Sequence, residues 1–238
     1  MNGAFMCVAW VLLWSSCSPK YYVPNTHNTP LLQQKGEGTF SFAAGEWRSE
    51  FQGAYAVTPN VAVMLNTAFF RPEDDEEGDG GKGQLFEVGL GYYRGLPKKI
   101  AFETYALLGI GHVENHFPST LTDHPSTTGE IESTLLRYGI QPAVGFQSKY
   151  LDVSVSARIT GLNYGNHSGS LVFSGEDQVA YLRRKNTHLL VEPALTMKMG
   201  FDFLKLQMQL GHSFNVNNPA FRQDEGHFTL GIGYYLDK

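Results

Sequence analysis

The stretch Leu151-Asp152-Val153-Ser154-Val155-Ser156-Ala157-Arg158-Ile159-Thr160 decides the fold. Leu151, Val153, Val155, Ala157 and Ile159 share one face of an extended chain, and Asp152, Ser154, Ser156, Arg158 and Thr160 share the other. Side chains of a strand alternate faces, so a period of two marks a strand with one apolar and one polar face. The same alternation sets Leu204, Leu206, Met208 and Leu210 against Lys205, Gln207, Gln209 and Gly211. It sets Phe228, Leu230, Ile232 and Tyr234 against Thr229, Gly231 and Gly233. Val61, Val63 and Leu65 behave likewise, as do Ile100, Phe102, Ala106, Leu108 and Ile110.

Ten such stretches are expected, near residues 38–46, 48–57, 60–70, 84–94, 100–114, 131–148, 151–164, 187–199, 203–214 and 227–236. Most run about 9–15 residues, longer than the 5–6 typical of soluble sheets and enough to cross a bilayer at a tilt. The connections alternate in length. Thr58-Pro59-Asn60, Leu96 to Lys99, Lys149-Tyr150 and Gly200 to Asp202 are short. Residues 71–83, 115–130, 165–186 and 215–226 form long polar loops rich in Gly, Asp and Asn, and only Gly45 to Trp47 breaks the rule. A soluble sandwich shares the alternation of faces but not this asymmetry of ends. Short turns at one end and long loops at the other predict a transmembrane barrel with the short turns in the periplasm. The fold class is therefore all-β, an antiparallel up-and-down transmembrane β-barrel of about ten strands over residues 38–238, integral to a bacterial outer membrane. An even strand count returns the chain to the periplasmic side, where a lipidated end is expected to lie.

Aromatic residues fall near the strand ends: Phe69, Phe70, Tyr92, Tyr93, Phe117, Phe146, Tyr150, Tyr164, Phe201, Phe203, Tyr234 and Tyr235. Rings at those levels are expected to form interfacial girdles, with Tyr235 in the place of a terminal aromatic. Pro142 and Pro193 fall on outward faces inside strands, where each removes a ladder hydrogen bond, and bulges are expected there. The inward face is expected to carry Glu50, Gln52, Asn66, Glu87, Glu103, Tyr105, Arg137, Gln141, Asp152, Arg158, Glu192, Lys198 and Lys205. Acids and bases balance in that set. A lumen of about ten strands is little wider than one filled by side chains, so these charges are expected to pair and close it.

A net charge of -5 and the lack of any Lys/Arg cluster exclude nucleic acid as a partner. Ahead of the barrel, Ala4 to Ser16 is an apolar leader of about a dozen residues, too short to span a bilayer as a helix. It reads as the core of a secretory signal peptide over residues 1–16, with Ser15 and Ser16 as the small residues of a cleavage site. The Ser15-Ser16-Cys17 junction resembles the lipobox of bacterial lipoproteins, which implies acylation of Cys17 and a lipid anchor at the mature amino terminus. Cys7 leaves with the leader, so no disulfide forms in the mature chain. Residues 17–37 are expected to be a lipidated tether, because Pro19, Pro24 and Pro30 with Asn25, Thr26 and Asn28 disfavour helix and strand alike. The run Tyr22-Val-Pro-Asn-Thr-His-Asn-Thr-Pro-Leu-Leu-Gln-Gln-Lys-Gly-Glu37 resembles the leader of Bacteroidetes-type outer-membrane β-barrel lipoproteins of uncharacterised function.

Three constellations could carry chemistry. Asp75, Glu77, Asp79 and Gly80, within Glu73 to Gly81, resemble the first half of a calcium loop, but Phe86 stands where the bidentate Glu belongs. That run reads as a solvated acidic loop. His112 and His116 share a strand face about 13 Å apart and, with His124, read as rim histidines and not as metal ligands. Gly211-His212-Ser213-Phe214-Asn215, followed by Asp224 and Glu225, resembles the His-x-Ser-Asn stretch of outer-membrane lipid A deacylases. Adjacent residues point to opposite faces of a strand, so His212 and Ser213 are not expected to form a nucleophile–base pair. His212 reads instead as a structural residue at the outer interface. No catalytic, cofactor-binding or metal-ligating residue is assigned, and the one site residue is Cys17. The sequence favours a small lipid-anchored barrel with a structural or partner-binding role. The partners expected are outer-membrane lipids and an outer-membrane protein. A lipid A-modifying hydrolase and a small-solute pore remain the alternatives.

Overall fold

A computed structural model describes residues 18–71, 80–117 and 126–236. Ten antiparallel strands form the wall: β1 Gly38–Gly45, β2 Arg48–Ala56, β3 Val61–Phe70, β4 Gly80–Leu96, β5 Ile100–Phe117, β6 Gly129–Gln147, β7 Leu151–Gly169, β8 Thr187–Gly200, β9 Leu204–His212 and β10 Gly226–Leu236. Each pairs with its neighbour in sequence, and β1 closes on β10 from Gly38↔Leu236 to Gly45↔Thr229. The sheet thus has no free edge, the condition for backbone to cross lipid. No helix among the described residues is long and apolar enough to span a membrane. The strands β4 to β7 extend further into the long-loop side than their alternation alone marks, to Gly80, Phe117, Gly129 and Gly169.

The short turns are built locally. Thr58 Oγ1 accepts from the amides of Asn60 and Val61, at 3.3 and 3.0 Å. Ser148 Oγ accepts from Leu151 N at 3.0 Å. Lys98 and Lys99 take φ of 64° and 62° in the tight turn between β4 and β5. Gly38 and Leu236 pair directly, so both barrel ends lie at this short-turn end.

The two faces of the wall separate cleanly. Leu206 and Ile110 are 65% and 64% exposed on the outside, whereas Glu50, Glu87, Glu103 and Glu192 are 0% exposed inside. An apolar outside and a polar inside suit a wall bathed in lipid. Pro142 and Pro193 do face outward. The expected bulges are absent from them: Ile140↔Ile159 and Ala143↔Ser156 keep one register past Pro142, and Pro193 pairs with Ala157. A one-residue slip would exchange lipid and lumen faces for the rest of the strand, a greater cost than one missing hydrogen bond. The shift of register in β6–β7 lies instead between Glu132 and Thr134, near the loop end of β6, where few residues precede it.

The expected girdle holds only in part. Phe69, Tyr92, Phe146, Tyr150, Phe201, Phe203 and Tyr234 are exposed on the outer surface, but Tyr93, Phe117, Tyr164 and Tyr235 are buried. Tyr235 does not act as a displaced terminal aromatic. Its parity is inward, and its hydroxyl donates to Asp152 Oδ2 at 3.3 Å.

Residues 18–37 also correct an expectation. They form no helix and only one bridge, Tyr22↔Gln223, as their prolines dictate. As a tether the segment would lie outside the wall, yet every residue from Tyr21 to Leu32 is buried. The segment fills the lumen. At the long-loop end Lys20 N donates to Asn115 Oδ1 at 2.9 Å, and at the short-turn end Gln33 Nε2 donates to Gln147 Oε1 at 2.8 Å. An extended chain from Tyr22 to Leu31 reaches about 30 Å, the thickness of a hydrocarbon core.

Candidate functional site: the occupied lumen

All thirteen residues assigned to the inner face are buried there. The charges were expected to close the lumen by pairing across it. Some do pair: Arg137 meets Glu87 at 2.7 Å, and Lys205 meets Asp152 at 2.6 Å. The remainder mostly bind the backbone of the amino-terminal segment. Thr26 N donates to both oxygens of Glu50, at 3.1 and 2.9 Å, and Gln52 Nε2 donates to Thr26 O at 2.7 Å. Gln209 reads both backbone groups of His27: Oε1 accepts from its amide at 2.7 Å, and Nε2 donates to its carbonyl at 2.9 Å. Gln141 Nε2 donates to Asn28 O, and Lys198 Nζ donates to Thr29 O, both at 2.8 Å. Leu31 N donates to Glu103 Oε2 at 3.0 Å. An irregular chain has no ladder partner for its buried amides and carbonyls, and these side chains supply one.

Asn25 is the centre of this contact. Its Oδ1 accepts from Arg137 Nη1 at 2.7 Å and Arg158 Nη1 at 2.6 Å, while Arg158 Nη2 donates to Asn25 O at 3.0 Å. One neutral amide thus sits between two guanidiniums that would otherwise repel, with Glu87 and Glu192 beyond them. Lower down, Asn28 Nδ2 donates to Asn66 Oδ1 at 3.0 Å, and Asn66 Nδ2 donates to Glu87 Oε1 at 2.9 Å. Each link is charge-assisted or ends on a charge-assisted bond, the stronger class of hydrogen bond.

Apolar clusters close both ends. At the long-loop end Tyr21 and Tyr22 pack with Phe117, Tyr164, Leu182 and Phe221. A short helix, α1 Gln178–Arg184, covers them; Asp177 caps it by accepting from Val179 N and Ala180 N at 2.9 and 3.1 Å. Gln178 Oε1 accepts from Tyr21 OH at 2.9 Å. At the short-turn end Leu32 packs with Ala56, Met64, Tyr93 and Tyr105. Leu31 holds a left-handed φ of 55° there, a strain of about 1–2 kcal/mol. A Cβ at Gly145 would lie 2.8 Å from both Leu31 methyls and from Ser154 Cβ, so a side chain there would force this packing to shift.

The residues singled out for chemistry do not assemble. Ser213 is buried and donates to Glu192 Oε1 at 3.1 Å, while His212 lies on the other face against Phe214, with ring centroids 4.3 Å apart. Asp224 binds Arg48 at 2.8 Å and Lys20 at 3.5 Å. His112 contacts Glu114 at 3.1 Å, and His116 contacts Glu130 at 3.9 Å. Among the described residues no group of three His, Cys, Asp or Glu could hold a metal ion. Cys17, His124 and Glu73 to Asp79 lie outside the described residues.

The sequence reading missed Asn25 to Thr29 as lumen residues. Their signal was composition: residues 21–34 carry no Asp, Glu, Lys or Arg, and Tyr21, Tyr22, Leu31 and Leu32 bracket the polar middle. A solvated tether has no reason to pair apolar ends with an uncharged centre.

No protein-family profile and no curated protein sequence matches the chain. Among solved structures it is similar to the translocator domain of autotransporter NalP from Neisseria meningitidis, with 12% identity, a TM-score of 0.43, and coverage of 83% of this chain and 87% of that one. It is similar to LpxR from Salmonella typhimurium, with 10% identity, a TM-score of 0.37, and coverage of 84% and 99%. It is also similar to the NanC porin, with 9% identity, a TM-score of 0.31, and coverage of 84% and 99%. The chain is a closed ten-stranded antiparallel β-barrel whose lumen is filled by its own amino-terminal segment.

Proposed function

We propose that this protein is a lipid-anchored outer-membrane barrel with a structural or partner-binding role, in which the wall holds a fixed plug and the long-loop end meets the partner. The observation that carries this reading is the unbroken burial of Tyr21 to Leu32 along the lumen. A pore needs that space for water and solute. A hydrolase of the Ser–His type needs Ser213 beside an imidazole, and its neighbour here is the Glu192 carboxylate. The anchor rests on the Ser15-Ser16-Cys17 junction, and the outer membrane on the apolar outer wall with long loops at one end.

Planar-bilayer recording tests the role of the plug. The full-length protein should give no steady conductance, and deletion of residues 21–32 should open a cation- or anion-conducting path through a lumen lined by Glu and Arg. Steady conductance by the intact protein would return the pore reading. Purification in mild detergent should then bring down an outer-membrane protein partner whose recovery falls when α1 is replaced by a Gly/Ser linker.

A further inference from the structure

The plug runs in one direction only. Glu37 joins β1 at the short-turn end, and from there the chain, followed backwards, passes Leu31 at Glu103, Asn28 at Asn66, Thr26 at Glu50 and Tyr22 at Glu192. Beyond Tyr22 it reaches the mouth on the long-loop side. Tyr21 N donates to Arg222 O at 2.9 Å, and Tyr164 OH donates to Tyr21 O at 2.8 Å. Lys20 exchanges two hydrogen bonds with Asn115, at 2.9 and 3.1 Å, and meets Asp224 at 3.5 Å. Asn115 is near the end of β5, and Arg222 and Asp224 belong to the connection between β9 and β10. Lys20 is therefore pinned to the rim of the wall at the end opposite to Gly38.

We infer that this segment is threaded through the whole barrel, so that Ser18 to Lys20 are presented at the cell surface, on the side of the long loops. The surface placement rests on the orientation proposed above, with the long loops outside; the threading does not.

Side chains from several strands hold the segment at hydrogen-bond distance along its length, so the wall encloses it from end to end.

Two disulfide variants and one epitope test the inference in cells. Thr26 Oγ1 and Thr229 Oγ1 lie 3.1 Å apart, as do Thr29 Oγ1 and Ser154 Oγ. Thr26→Cys/Thr229→Cys and Thr29→Cys/Ser154→Cys should each form a disulfide in the assembled protein, recognised by mass spectrometry of the linked peptides. An epitope inserted between Ser18 and Pro19 should bind antibody equally on intact and on permeabilised cells. Failure of both disulfides in a barrel that still shows heat-modifiable migration would overturn threading. Disulfides with an epitope reached only after permeabilisation would overturn the surface placement.

Discussion

The strands of the wall satisfy their backbone groups with one another, whereas the segment inside satisfies its backbone with side chains of the wall. Phe51 and Thr67 face each other across a regular ladder, but one residue earlier in β2 Glu50 turns both carboxylate oxygens to the amide of Thr26. The contrast explains why the inner face is polar without being open. Glu50, Gln52, Gln141, Lys198 and Gln209 are there to complete a peptide's hydrogen bonds, and only some of the charges serve as partners for other wall charges. A wall built this way is specific for one segment in one register.

The largest expected effect lies where the two regions share charge. Asn25→Leu leaves Arg137 Nη1 and Arg158 Nη1 without their shared acceptor, and hydrogen bonds to charged groups contribute about 1.5–3 kcal/mol each. Urea unfolding in lipid vesicles should show a loss of about 3–5 kcal/mol, the range for breaking a buried charged contact. A loss below about 1 kcal/mol would mean that the arginines do not depend on the plug.

The wall should respond to a different chemistry. Leu206→Arg puts a charge on the lipid face and should destabilise the barrel by about 2–4 kcal/mol near the midplane. Met208→Leu should change stability little. A spin label at position 206 should be relaxed strongly by oxygen and weakly by a water-soluble nickel reagent. Inaccessibility to both reagents would mean a protein-covered face, contrary to the membrane assignment.

Smaller effects separate single contacts within the plug. Glu50→Gln keeps one acceptor for Thr26 N but removes the charge, so a loss of about 1–2 kcal/mol is expected. Tyr22→Phe removes the hydroxyl that donates to Glu192 and accepts from Arg137, at 2.9 and 3.2 Å. About 1 kcal/mol should be lost. Equal responses to Tyr22→Phe and to Tyr150→Phe, an exposed ring on the outer surface, would erase the distinction between plug and surface.

What the sequence revealed, and what it hid, follows the same division. Strand parity assigns a face to every residue of a regular strand, which is why Glu50 through Lys205 were placed inside and Leu206 outside from alternation alone. Position along a strand does not assign a face, and so Tyr92 and its neighbour Tyr93 were grouped although one is exposed and the other buried. Parity also explains the prolines: a bulge at Pro142 would have inverted all that follows. Residues 18–37 have no period, and prolines told only what the segment could not form. Its location depends on wall residues far away in sequence, as with Thr26 and Thr229. The compositional sign was present in the uncharged run from Tyr21 to Gln34, but no local rule converts that into burial. The adjacency of His212 and Ser213 did predict their separation, because alternation is local.

Hydrogen exchange of the intact protein in detergent or nanodiscs tests most directly whether the lumen is filled by its own chain. The amides of Thr26, His27 and Leu31 donate to Glu50, Gln209 and Glu103. Peptides covering residues 21–32 should therefore exchange as slowly as those from β5 and β6, over hours. The amides of Gln34 and Lys35, in the exposed link to β1, should exchange within seconds. Rapid exchange throughout residues 21–32 beside a protected wall would show an empty lumen and contradict the account.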